Sequence, residues 1–178
     1  MLVSGRVWKF GDDINTDLIL PTPYMYFAPR EQARHAFEAN RPGWVDEMSP
    51  GDVIVGGQNF GLGSSRPAPL VLRTLGLGCL IADSIGATFF RNCVSFGLLA
   101  FECPGVSNMF AEGDSAEVQI DSLEVRNART GASLPLQPIP EQLITLMRSG
   151  GIFPLLEAEG LIGPARSPDQ AKMADAAG

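Results

Sequence analysis

Between residues 53 and 103 short apolar runs alternate with helical segments, and this alternation restricts the possible folds more than any other feature of the chain. Pro50-Gly51-Asp52 has turn composition, and Val53-Ile54-Val55 follows it as a short strand feeding Gly56-Gly57. Leu70 to Leu75 is an apolar helical segment, and Cys79-Leu80-Ile81-Ala82 reads as a second strand. Ala87 to Phe96 has helical character, and Leu98 to Cys103 is a further apolar strand. A parallel partner is reached only through a crossover, so this order predicts parallel strands joined by helices.

The flanking segments follow other periods. Leu2 to Phe10 alternates apolar and polar residues as a strand does, then enters the turn composition Gly11-Asp12-Asp13. Asn15-Thr16-Asp17 precedes the apolar run Leu18-Ile19-Leu20, which Pro21 and Pro23 end. Pro29-Arg30-Glu31-Gln32 is a helix start, predicting a helix to about Ala39 and a break at Pro42-Gly43. Ala116 to Ile120 and Leu123 to Arg126 alternate by twos and predict a β-hairpin. Pro140 to Ser149 reads as an amphipathic helix closed by Gly150-Gly151. Beyond about Gly160 apolar residues are few and aperiodic. The expected architecture is one α/β domain with a mixed sheet over residues 1–160, and a flexible tail over 161–178.

A chain of 178 residues is long enough for one substantial core and short for two. Its net charge is −7 and its thirteen basic residues are scattered, so no basic stripe is present to neutralise phosphates, which argues against a nucleic-acid partner. No apolar run approaches the roughly 20 residues that span a bilayer, which argues against a membrane protein. Met1 to Phe10 lacks the apolar core and cleavage signature of a signal peptide. The three cysteines, Cys79, Cys93 and Cys103, are odd in number and lie in apolar surroundings, as expected of buried thiols in a reducing cytoplasm.

Two loops hold residues suited to chemistry. Asn59-Phe60-Gly61-Leu62-Gly63-Ser64-Ser65-Arg66 follows an apolar strand and leads to a helix start at Pro67, a position where amides and a partial positive charge favour anions. Gly61 and Gly63 permit close backbone approach, Ser64 and Ser65 supply hydroxyls, and Arg66 offers a planar fork for a carboxylate. Taken alone the stretch also reads as a tight glycine turn capped by serine. It is not a P-loop, since no Lys follows the second glycine, nor a dinucleotide fingerprint, since the third glycine is missing. The other loop, Asp12-Asp13-Ile14-Asn15-Thr16-Asp17, reads by itself as an acidic turn with Asx capping. It lacks the twelve-residue ligand pattern of a calcium loop.

Read in series, these stretches resemble a known family. Gly5-Arg6-Val7-Trp8-Lys9-Phe10-Gly11-Asp12 with Asn15-Thr16-Asp17, then Pro50-Gly51-Asp52-Val53-Ile54-Val55, is similar to the aconitase-type swivel domain. Asn59-Phe60-Gly61 with Gly63-Ser64-Ser65-Arg66, and Phe90-Arg91-Asn92 with Gly97-Leu98, continue the match, which covers residues 3 to 155. The resemblance is to the stand-alone form, the small subunits of 3-isopropylmalate dehydratase and related hydro-lyases. It implies a single swivelling β/β/α domain that closes over a large subunit carrying a [4Fe–4S] cluster, with a hydroxy-dicarboxylate substrate between them. It implies that Ser64 is the base, that Ser65 and Arg66, with Gly63 beside them, contact a substrate carboxylate, and that Asp17 supports acid–base chemistry. This chain itself is expected to bind no cofactor, because a [4Fe–4S] site needs three or four close thiolates, commonly with one Cys-x-x-Cys spacing, and Cys79, Cys93 and Cys103 have none.

The resemblance also implies that the segment after Asp17 reaches the variable part of the substrate. Tyr24, Met25 and Tyr26, with Phe27, make it bulky and apolar, which suits the hydrophobic substituent of isopropylmalate, and the resemblance then implies a place in leucine biosynthesis. Arg30 and Arg34 lie on the expected helix. An arginine there would serve a third carboxylate, as in homoaconitate. His35, on the same helix, is expected to pack or to face solvent. The chain departs from the family at Leu62, where cysteine is usual, and at Pro67-Ala68, where Glu-His is usual. Those departures leave open a related substrate such as methylmalate or dimethylmalate, or a non-catalytic anion-binding module on the same fold.

Overall fold

The computed structural model describes residues 1–163, and its organising element is strand β1 (Leu2–Lys9), which changes partners along its length. Its first part, Leu2 to Arg6, pairs antiparallel with β5 (Ser115–Gln119), and its last part, Val7 to Lys9, pairs parallel with β2 (Val53–Gly56). Outward from β2 lie β3 (Cys79–Ala82) and β4 (Ala100–Glu102), both parallel; outward from β5 lie β6 (Glu124–Asn127) and β7 (Ser133–Pro135), both antiparallel. The result is one seven-stranded mixed sheet, β4-β3-β2-β1-β5-β6-β7. The expected parallel region and the 116–126 hairpin are both present, and β1 joins them.

Helix α4 (Ala68–Thr74) crosses from β2 to β3, and α5 (Ala87–Phe96) crosses from β3 to β4. Before them come α1 (Thr16–Ile19), a 3-10 turn at Thr22–Tyr24, α2 (Pro29–Arg34) and α3 (Trp44–Glu47); α6 (Val106–Met109), α7 (Glu141–Arg148) and α8 (Ile152–Ala158) complete the order. Three expectations are corrected. The helix expected to reach Ala39 stops at Arg34, because the chain turns to bury Phe37 completely at φ 57°, a left-handed conformation no helix tolerates. The sequence patterns do not show helices α3, α6 and α8, nor β7, whose three residues are too few to show a period. Pro67 lies just before α4 rather than in its first turn, where Pro69 sits instead. Of the tail expected from residue 161, residues 161–163 are exposed, and 164–178 lie outside the described residues.

The core divides across the sheet by strand alternation. One face collects Trp8, Ile54, Leu80, Ala82 and Ala100 with Phe10, Ile19, Phe37, Trp44, Phe60, Leu72 and Phe89 from the helical layer. The other collects Val7, Val53, Val55, Cys79, Ile81 and Phe101 with Val118, Val125 and Met147. Strands β2 and β3 are buried on both faces, which is why their sequences are apolar without alternation. Among the described residues no helix is long and apolar enough to cross a membrane.

Gly5 stands where β1 passes from one half of the sheet to the other, and a Cβ there would lie 2.2 Å from the Gly51 carbonyl oxygen. Backbone cannot yield as a side chain would, so Gly5→Ala is expected to cost about 3 kcal/mol in urea denaturation, at the upper end of ordinary overpacking. Gly11→Ala, with nothing within 4 Å of the added carbon, is the control and should stay within about 0.5 kcal/mol.

Candidate active site

The two loops singled out by their composition lie side by side. The loop after β2 is anchored by Phe60, which is fully buried and whose amide donates to the Ser84 carbonyl at 3.0 Å. Its amide neighbours Gly61 and Leu62 both donate to the Ile14 carbonyl, at 2.7 and 3.2 Å. The Thr16 amide returns a bond to the Leu62 carbonyl at 2.8 Å, and the Thr16 hydroxyl donates to the Ser64 carbonyl at 3.0 Å. Asn15 caps α1 by accepting from the Asp17 amide at 2.9 Å, and Gly63, at φ +107°, passes so close that a Cβ would meet Asn15 Oδ1 at 2.6 Å. The glycine spacing is therefore a packing requirement as well as a conformational one.

Arg66 is the centre of the site. It is nearly buried, and its guanidinium is held on all three nitrogens. Nη1 donates to the Leu20 carbonyl at 3.0 Å, Nη2 donates to the Thr22 hydroxyl at 3.1 Å, and Nε donates to Ser64 Oγ at 3.1 Å. Asp17 Oδ1 stands 2.8 Å from the same Nε as an ion-pair partner. A guanidinium has five N–H donors, so one on each terminal nitrogen remains for a ligand. Ser64, Ser65 and Gly63 are exposed, and their three amides make no hydrogen bond among the described residues. The end of α4 adds less than its position promised, because Pro67 and Pro69 have no N–H and the Arg66 amide donates to the Ser64 carbonyl at 2.8 Å. Charge at the site comes from the guanidinium, and polarity from two hydroxyls and the loop amides.

Ser64, Asp17, Arg66, Ser65 and Gly63 thus form one cluster. The segment from 24 to 30 is divided. Tyr24 stacks on His35 with ring centroids 3.6 Å apart, and Tyr24 and Met25 both pack against the core as half-buried side chains. Burial and the neighbouring Glu38 carboxylate push the Tyr24 hydroxyl up from its ordinary range. Tyr26 is 92% exposed, and Arg30 is exposed with no hydrogen bond or ion pair among the described residues. His35 has a structural place, with Nδ1 2.6 Å from Glu38 Oε2. Three contributors escaped the reading of the sequence: Thr16, Thr22 and Asn92, whose side chain donates to Ser65 Oγ at 3.2 Å. Thr16 and Asn92 lie inside recognised motifs, while Thr22 carries no local signal.

The three cysteines are all free and buried. Cys93 belongs to the core on one face of the sheet, and Cys79 and Cys103 to the core on the other. Burial raises all three thiols above their ordinary range, Cys103 to about 11. Among the described residues no group of three or more His, Cys, Asp or Glu side chains could hold a metal ion.

The chain is similar to known proteins over most of its length. Residues 29–105 match the aconitase C-terminal domain. The isopropylmalate/citramalate isomerase small subunit of Methanocaldococcus jannaschii is 42% identical over 158 residues, covering 88% of this chain and 94% of that protein. The 3-isopropylmalate dehydratase small subunit of Heliobacterium modesticaldum is 39% identical over 155 residues, covering 86% of this chain and 93% of that protein. A crystal structure of 3-isopropylmalate dehydratase from Methanocaldococcus jannaschii superposes with a TM-score of 0.84 at 31% identity, covering 90% of this chain and 96% of that one.

Because the thiolate is the nucleophile and burial suppresses it, the native chain at pH 8 should leave Cys79, Cys93 and Cys103 unmodified by iodoacetamide under conditions that alkylate all three in urea. Intact-mass spectrometry reads the number of adducts, and one adduct on the native chain would contradict the burial.

Proposed function

The chain belongs to the family of 3-isopropylmalate dehydratase small subunits, and from that premise we propose that it is the proton-transfer and carboxylate-binding half of a hydro-lyase completed by a large subunit. The observation that carries the reading is the contact between an exposed serine and a buried guanidinium, Ser64 Oγ to Arg66 Nε at 3.1 Å, on a loop clamped to α1. Dehydration of a hydroxy-dicarboxylate removes a proton beside a carboxylate and the hydroxyl from the neighbouring carbon. Ser64 takes the proton in this scheme. A serine is a base only as its alkoxide, and a charged N–H donor already aimed at Oγ stabilises that form without reorganisation. Asp17 balances the guanidinium from the solvent side of Nε. The two free N–H groups of Arg66 and the Ser65 hydroxyl bind a substrate carboxylate and fix its pose, which supplies rate through orientation.

The partner in this reading is a large subunit carrying a [4Fe–4S] cluster, whose Lewis acidity assists departure of the substrate hydroxyl. Cluster ligands belong on that subunit because the three thiols of this chain are separated across a sheet and buried in its cores. The active site is then an interface, and the pair works in the cytoplasm. The substrate is 3-isopropylmalate or its 2-isomer. Exposed Tyr26 and Phe27 offer apolar surface to its alkyl group, while Tyr24 and Met25 support them from the core. A second substrate, methylmalate, is favoured by the relative that is 42% identical and named for both isopropylmalate and citramalate.

The decisive experiment is reconstitution with the large subunit, assayed on a panel of 2- and 3-substituted malates. Turnover should require both chains and be highest with isopropylmalate. Ser64→Ala should lower kcat by about a thousandfold or more, within the range for loss of a general base. Wild-type rates in that variant would remove Ser64 from the role of base, and turnover by the isolated chain would overturn the two-subunit reading.

A further inference from the structure

Asn92 grips the active-site loop from outside it. It lies on α5 three residues beyond Phe89, so the two share one face of that helix. Phe89 is buried against Gly61, where an added Cβ would lie 2.1 Å from its ring. Asn92 continues the contact with polar bonds, from Nδ2 to Ser65 Oγ at 3.2 Å and to the Arg66 carbonyl at 3.4 Å. A carbonyl only accepts, so the NH2 end of the amide must face the loop, and its two protons are both engaged. Toward Asn92, therefore, the Ser65 hydroxyl is an acceptor, and its single proton is left for a different partner. The Ser65 side chain has no other hydrogen bond among the described residues, and Ser65 is exposed.

We propose that Asn92 is a positioning residue that sets the polarity of Ser65, directing its hydroxyl proton toward a substrate carboxylate, and that fixes the backbone of Ser65-Arg66 through the Arg66 carbonyl. This rests on the hydro-lyase reading and deepens it by assigning the group that orients one of its carboxylate contacts. Thr16 holds the other flank through the Ser64 carbonyl, so the three residues Ser64 to Arg66 are tied on one side to α1 and on the other to α5. The role of Asn92 is specific to its donor character. A carboxylate of the same shape would accept the Ser65 proton for itself and face the Arg66 carbonyl as a second acceptor.

The test uses the reconstituted pair and whichever malate the wild type turns over. Asn92→Asp should raise KM about tenfold or more while kcat changes less than about threefold, the signature of lost substrate binding. Asn92→Ala, which adds no charge, should raise KM about threefold. Ser65→Ala should also raise KM, and adding Asn92→Asp to it should raise KM clearly less than Asn92→Asp does alone, because the part of its effect that passes through the Ser65 hydroxyl is already gone and only the part through the Arg66 carbonyl remains. A purely structural asparagine would give effects that multiply in the double variant. Unchanged KM in both Asn92 variants, or multiplied effects with Ser65→Ala, would overturn the assignment while leaving the hydro-lyase reading intact. An inactive wild-type pair would overturn that reading itself, and the assignment with it.

Discussion

The rest of the structure depends on a single strand being shared by two kinds of sheet. Strand β1 is antiparallel to β5 over its first five residues and parallel to β2 over its last three. The candidate site is attached to the parallel side, at the ends of strands where open α/β sheets present their ligand sites. The chain leaves β1 into the Asp12–Asp17 turn and leaves β2 into the Gly61–Arg66 loop. Because β1 and β2 are parallel neighbours, both exits occur at the same edge of the sheet, and residues 47 and 48 positions apart are brought within hydrogen-bonding distance. The Ile14 carbonyl accepting from the Gly61 and Leu62 amides is the direct result. Gly5 sets how closely the shared strand can approach the Gly51 carbonyl in the turn before β2.

Onto that edge the fold places a charge that needs support. An arginine as buried as Arg66 loses most of its hydration, and burial of an unpaired guanidinium is strongly unfavourable. Its partners come from α1 and the turn that follows it: the Asp17 carboxylate in the first turn of α1, the Leu20 carbonyl at its end, and the Thr22 hydroxyl in the 3-10 turn. Pro21 and Pro23 stop the helix after α1, which is what frees the Leu20 carbonyl from an intrahelical bond and turns Thr22 toward the site. The prolines that look like mere punctuation in the sequence thus help build the arginine's cradle. With its terminal nitrogens held at fixed points, the guanidinium presents its remaining N–H groups in one orientation, and a planar fork held in that way recognises a carboxylate with little further ordering.

What the sequence revealed and what it concealed divide along physical lines. The parallel strands were legible because burial on both faces makes Val53-Ile54-Val55 and Cys79-Leu80-Ile81-Ala82 unbroken apolar runs, and the hairpin because one-sided burial makes 116–120 alternate. Helix α2 was over-extended because residues 35–39 have helical composition, while the burial of Phe37 among Phe10 and Trp44 decides the backbone there, and that is a tertiary effect. At the site, Ser64, Ser65, Arg66, Gly63 and Asp17 were legible as a cluster only through an ordered set of motifs, since each motif alone also reads as a turn. Thr22 and the Leu20 carbonyl were not legible at all. A threonine and a backbone oxygen carry no signal until the fold shows what faces them.

The open face of the site explains why a reading as half of an enzyme is physically economical. Ser64 and Ser65 are exposed, and Asp17 is half exposed on the solvent side of the Arg66 guanidinium. In water a serine alkoxide gains little from one guanidinium, because solvent competes for both charges and weakens their attraction. Excluding that water, as a second surface closed over the loop would, strengthens the same contacts several-fold. The clamps from Thr16 and Asn92 keep the loop in one shape before closure, so the closing partner need not spend interaction energy on ordering it. A preformed but open constellation is the form that suits a domain completing another protein's active site.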